Sequence, residues 1–124
     1  MKLFRLSTYF AFSEALVNVC YYTNWSQYRP GMGKFFPENI DPFLCTHINY
    51  AFGFLTEDGT GIKPVEWNDV LDYTDGMYKR VTKLKEQNSE LKVLLSIGGW
   101  THGTGSYHLN YYKLCIFLVF LGKF

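Results

Sequence analysis

Val17 to Tyr22 is a run of β-formers that stops at Thr23-Asn24, and it predicts a first strand. From Asn24 to Pro42 the apolar pattern loses its period. Arg29-Pro30-Gly31-Met32-Gly33, Pro37 and Pro42 are turn signals, so the stretch predicts loop. Leu44 to Phe54 predicts a second strand. Tyr50, Ala51 and Phe52 make it apolar on both faces, as in a parallel sheet covered by helices. Glu57 to Gly61 predicts a turn. From Asp69 to Gln87 the period changes. Met77, Val81 and Leu84 fall at i, i+4 and i+7, with Lys79, Arg80, Lys83 and Lys85 toward solvent. This predicts a helix over 69–87, weakened near its start by Gly76. Leu91 to Ile97 predicts a third strand, and Gly98-Gly99-Trp100 follows at once. Strand, long connection, strand, helix, strand is the rhythm of an α/β sheet.

Composition adds one anomaly. The chain has 124 residues, a net charge of +1 and 19% charged residues. It is therefore one domain by length, not a disordered chain, and it gives no electrostatic reason to bind nucleic acid. The anomaly is the aromatic load of 11 Phe, 10 Tyr and 3 Trp, more than a small core needs. Such an excess suggests a stacking surface, a missing partner, or a part of something larger. The basic cluster from Lys79 to Lys85 reads first as a solvated face, and second as a patch for an acidic partner.

The termini differ from the middle. Residues 1–18 form a poor signal-like leader: Lys2 and Arg5 make a basic start, but Ser7, Thr8, Ser13 and Glu14 break the apolar stretch. Cleavage and retention both stay open. No run reaches the 18–20 or so apolar residues of a membrane span. The longest, Cys115 to Leu121, is strand-length and sticky. Cys20, Cys45 and Cys115 permit one disulfide and a spare thiol, or three reduced thiols. His47, His102 and His108 lack a ligand spacing with them, so no metal and no cofactor are expected. Asn24-Trp25-Ser26 is a formal glycosylation sequon, but the bulky Trp argues against its use.

The chemistry is suggested by where aromatics stand. Tyr21 is near the end of the first strand and Trp25 just beyond it. Phe52 is near the end of the second, and Trp100 directly follows the third. Ligands of parallel α/β folds bind at the C-terminal ends of the strands. Aromatic faces there can stack on the C–H face of a sugar, or can simply be core. The stretches Cys20-Tyr-Tyr-Thr-Asn-Trp25, Tyr28-Arg-Pro-Gly31, Asp41-Pro42, Leu44-Cys-Thr-His47, Tyr50-Ala-Phe52, Glu66-Trp-Asn-Asp69 and Leu94-Leu-Ser-Ile-Gly-Gly-Trp100 occur in order. Together, from Val19 to Thr104, they resemble the opening of a family 18 glycoside hydrolase, an animal chitinase or chitinase-like lectin.

The resemblance implies an α/β fold of a specific kind, a partial (β/α)8 TIM barrel covering its first three strands. It implies a Cys20–Cys45 disulfide and a secreted protein. It implies that Tyr21 and Phe52 line the floor of a chito-oligosaccharide cleft and that Trp25 is a platform for a more distant sugar. Glu66, Trp67, Gly98, Gly99 and Trp100 match sugar-contacting segments. Thr101 stands where the family commonly has Asn, so its role is weaker.

The family's catalytic carboxyls lie in an Asp-Gly-x-Asp-x-Asp-Trp-Glu motif, and its mechanism is substrate-assisted. Asp58-Gly59 and Asp75-Gly76 do not fit that motif, and Glu90 is the last acidic residue. No catalytic residue is therefore assigned. The expectation is a chitinase-like chain, inactive alone, with weak affinity for chitin or chito-oligosaccharide. The alternatives are a non-catalytic chitin-binding module, or a chain completed by a partner. Residues 105–124 form a divergent apolar tail. It is either a surrogate strand covering an exposed sheet edge or an unselected extension, and self-association through the edge or the tail is expected to be open to it.

Overall fold

A computed structural model describes residues 16–101 and the backbone of 117–120. The readings of the leader, of Cys115 and of most of the tail lie outside the described residues. Five strands make one sheet: β1 (Val19–Thr23), β2 (His47–Leu55), β3 (Ile62–Pro64), β4 (Lys92–Ile97) and β5 (Phe117–Phe120). The order is β1-β2-β4-β5, with β3 a short antiparallel neighbour of β2. β2 is parallel to both β1 and β4. It is the middle one of the three parallel strands, which explains why it is apolar on both faces.

Alternation sorts the side chains. Tyr22, Ile48, Tyr50, Val93, Leu95 and Ile97 face the core, packed with Met77, Val81 and Leu84. The i, i+4, i+7 stripe therefore performs the burial its spacing predicts. The opposite face carries Tyr21, Asn49, Ala51, Leu94 and Ser96. Cys20 and Cys45 are bonded, with Cα atoms 6.1 Å apart. The peptide Ala51-Phe52 is cis, and the β2–β4 register shifts between Ala51 and Gly53.

The helix is shorter than the sequence predicts. α1 spans Met77–Thr82, followed by a 3-10 turn over Lys83–Glu86. Residues 69–76 are not helical, and two features explain why. Asp69 turns its side chain inward, where it accepts from the Val65 and Glu66 amides. Gly76 packs so close to the Asp69 carbonyl that a Cβ there would lie 2.5 Å from its oxygen. A regular helix cannot pass through that contact. The basic residues are only partly solvated: Arg80 binds Glu38, while Lys79 and Lys83 bind Asp75.

β3 was not expected. The turn before it is built by Asp58, whose carboxylate takes the Thr60 amide and the Thr56 and Thr60 hydroxyls. Those bonds hold the Asp58 carboxyl down at about 2. The tail contributes β5, which runs antiparallel to β4 with Ile97 opposite Phe117 and Leu94 opposite Phe120.

Candidate functional site

The three parallel strands deliver the aromatic residues to one end of the sheet. β1 ends at Thr23, and a 3-10 turn over Asn24–Tyr28 follows. Trp25 leaves this turn 44% exposed and stacks on Phe52, centroids 5.9 Å apart and planes 21° from parallel. Gly99, just past β4, lies beneath Phe52. A Cβ on Gly99 would come within 3.0 Å of the ring, and its φ of +101° is one that only glycine adopts readily. Gly98, with φ +111°, donates its amide to the Gly53 carbonyl at 3.0 Å. Sequence elements about 75 residues apart thus form one layer: Trp25 on Phe52 on Gly99.

A second group stands beside it. The Tyr28 hydroxyl donates to Glu66 Oε2 at 2.6 Å. That bond, which needs the phenol proton in place, raises the Tyr28 pKa. The neighbouring Trp67 indole opposes that rise. Trp67 itself is 71% exposed. Trp100 is 99% exposed, and neither it nor Tyr21 enters a ring pair among the described residues. Thr101 is exposed. Of the nine expected site residues, then, Trp25, Phe52 and Gly99 touch, Gly98 ties their turn to β2, and Glu66 and Trp67 gather around Tyr28. Tyr21 is half-exposed on β1, and Trp100 and Thr101 are exposed just past β4.

Sequence reasoning assigned no role to the residues that fix these groups. Asp69 is fully buried. Its Oδ1 accepts from the Tyr50 hydroxyl, and its Oδ2 accepts from the amides of Val65 (3.0 Å) and Glu66 (2.9 Å). Loss of water raises the Asp69 pKa, and these hydrogen bonds oppose the rise. The Tyr50 phenol is pushed far up, first by burial and then by the Asp69 charge. Asn68 and Gln27 pair through their amides, with Asn68 Nδ2 2.7 Å from Gln27 Oε1, and Gln27 also donates to the Asn24 carbonyl at 2.9 Å. The signal available was an acidic and an amide residue beside Trp67 in Glu66-Trp-Asn-Asp69. Helical periodicity claimed Asp69 instead.

Among the described residues no three His, Cys, Asp or Glu side chains are grouped to hold a metal, and no helix is long and apolar enough to cross a membrane. A shallow hollow lined by Glu38, Arg80, Lys83, Leu84, Glu86 and Gln87 shares no residue with the aromatic site.

The profile of the glycosyl hydrolases family 18 matches residues 17–114. Endochitinase of Brugia malayi is 57% identical over 89 residues, which is 71% of this chain and 18% of that protein. Among solved structures, an immunomodulatory active chitinase of Trichuris suis superposes with a TM-score of 0.66 at 47% identity, over 73% of this chain and 23% of the other. Human YKL-39, described as a pseudo-chitinase with retained chitooligosaccharide binding properties, superposes at 0.62 with 39% identity, over 76% of this chain and 24% of its own. The chain thus spans less than a quarter of the length of each of these relatives. A profile match over most of the chain, falling on the strands and turns that carry the aromatic site, makes this protein a member of the glycosyl hydrolases family 18.

Proposed function

We propose that residues 19–104 are the N-terminal part of a chitinase-like (β/α)8 barrel that keeps part of a chito-oligosaccharide cleft without the carboxylates that would cleave the sugar. The observation that carries this reading is the Trp25–Phe52–Gly99 layer at the C-terminal end of three parallel strands. An exposed indole held flat by a second ring offers a face to the C–H side of a pyranose. The names of the relatives supply the substrate class, and the one called a pseudo-chitinase is a precedent for binding without hydrolysis. The residues assigned to contact sugar are Tyr21, Trp25, Phe52, Glu66, Trp67, Gly98, Gly99, Trp100 and Thr101. A surface made by so few strands buries little of its ligand, so affinity is expected at about millimolar or weaker.

Hydrolysis of a chito-oligosaccharide by the purified chain tests the inactive reading: no turnover above background is expected, and turnover would overturn it. Retention on chitin beads tests the binding. It is expected for the unaltered chain and lost in a Trp25→Ala, Trp100→Ala double variant; no retention by the unaltered chain sinks it. The Cys20–Cys45 bond supports a secreted location, because disulfides persist in oxidising compartments. Finally, β5 pairs with the edge of β4, while β1 has β2 as its one neighbour among the described strands. We assign self-association to the sheet edge or the tail, and the uncharged β1 edge supports that assignment. A strictly monomeric chain by sedimentation at high concentration overturns that assignment.

A further inference from the structure

A buried carboxylate with no cation beside it weakens a core unless it does something there. Asp69 is such a group: fully buried, and in no ion pair among the described residues. Its hydrogen bonds join the short arm that carries Trp67 to β2 and to α1. Its side chain fastens the arm from below, accepting from Tyr50 on β2 and from the amides of Val65 and Glu66. Its own amide closes the arm on the Glu66 carbonyl at 3.1 Å, and its carbonyl accepts from the Tyr78 amide of α1 at 3.2 Å. The next residue back, Asn68, is buried and joined to Gln27, whose other bond goes to the Asn24 carbonyl. The turn bearing Trp25 is thereby fastened to the arm bearing Trp67. Tyr28 and Glu66 make a second, outer connection between the same two segments.

The polar network thus fixes two backbones and leaves their indoles exposed. Ordering exposed rings before a ligand arrives removes part of the entropy cost of binding. We propose that Asp69 is a positioning residue, which locks the Trp67 arm to the Trp25 turn so that both indoles meet one chito-oligosaccharide in a fixed relation. This rests on the sugar-binding reading given above.

The test uses the full chain, the variants Asp69→Asn, Tyr50→Phe and Trp67→Ala, and chitohexaose as probe. Indole N–H resonances in ¹H–¹⁵N spectra, assigned with single Trp→Phe variants, report each ring without any sugar. Asp69→Asn is expected to shift or broaden the Trp25 and Trp67 signals and to leave Trp100, which has none of these contacts, unchanged. Chitohexaose affinity by tryptophan fluorescence is expected to fall about tenfold, the factor that about 1.4 kcal/mol represents. In a Trp67→Ala background the same substitution is expected to add almost nothing. Tyr50→Phe keeps the buried ring and removes only the hydroxyl, so it serves if Asp69→Asn fails to fold. Unchanged Trp25 and Trp67 signals overturn the proposal, and so does an equal affinity loss with and without Trp67. If the unaltered chain fails to bind chitohexaose, the sugar reading falls and the indole spectra alone decide the positioning role.

Discussion

Replacing Gly99 by Ala perturbs the site at its foundation, and the cost can be worked from the geometry. Two penalties combine. A residue with a Cβ at φ +101° leaves the favoured regions, at about 1–3 kcal/mol. The new methyl would also stand 3.0, 3.1 and 3.3 Å from three carbons of the Phe52 ring. Carbon atoms rest at about 3.5–4.0 Å, so the ring must retreat by roughly 0.5 Å. Overpacking of this kind costs about 1–3 kcal/mol. The sum is about 2–6 kcal/mol, and because Trp25 leans on Phe52, its fluorescence shifts as well. Gly59 provides the control: its φ is +70° and nothing lies within 4 Å of its Cβ position, so Gly59→Ala carries the backbone penalty alone. Urea unfolding followed by circular dichroism measures both. Gly99→Ala is expected to be the more destabilising by about 1–3 kcal/mol, the overpacking penalty, and that excess should vanish in a Phe52→Ala background. Equal midpoints for Gly99→Ala and Gly59→Ala, or an excess that survives Phe52→Ala, would refute the reasoning.

Three other outcomes follow from the contacts. Reduction of Cys20–Cys45 opens a 25-residue separation and is expected to cost about 3–4 kcal/mol on the chain-entropy account, read as a fall in melting temperature with dithiothreitol. Arg80 binds both oxygens of Glu38 at 2.7 Å and holds that carboxyl below its ordinary range. A lowered folded value means the stabilisation is present above the ordinary glutamate pKa and lost as pH falls through the lowered one. Glu38→Gln is therefore expected to cost about 1 kcal/mol at neutral pH, less in high salt and nothing in strong acid, by melting across pH. Asp69 has the opposite sign. Its folded pKa is raised, so the folded state binds its proton first, and its contribution makes stability fall as pH rises from the ordinary aspartate value to the raised one. Asp69→Asn should remove that slope, seen as a flatter dependence of melting temperature on pH in that window.

What the sequence made legible was whatever repeats. β2 announced its central place by being apolar on both faces, and the Met77, Val81, Leu84 stripe marked the side of α1 that meets the core. The β1 and β4 runs were found within two residues. Contacts without a period were not legible. The start of α1 was missed because the residues from Asp69 to Gly76 are ordered by one inward carboxylate and one close backbone approach, and neither leaves a repeating trace. β3 was missed because three exposed residues, Ile62 to Pro64, carry no alternation to read. In the site, the aromatic residues could be named because bulky rings beside strand ends are conspicuous. Their fastening could not: the Tyr28–Glu66 and Gln27–Asn68 bonds join residues about 40 positions apart, and Asp69 turns inward to Tyr50 and to the amides of Val65 and Glu66 in a stretch with no period.

The direction of β5 has a consequence for how this sheet can grow. β1, β2 and β4 all point one way, and β5 points against them. The outer amides and carbonyls of β4 form a single row, and two strands cannot use it together. A ring of like-directed strands could be continued past Ile97 only by a segment that first evicted Phe117 to Phe120. Any such segment, whether from the same chain or another, would be a competitor for that row, and its success would be set by how firmly four residues hold on. The fourth position of the sheet is thus a contest between two occupants of opposite direction.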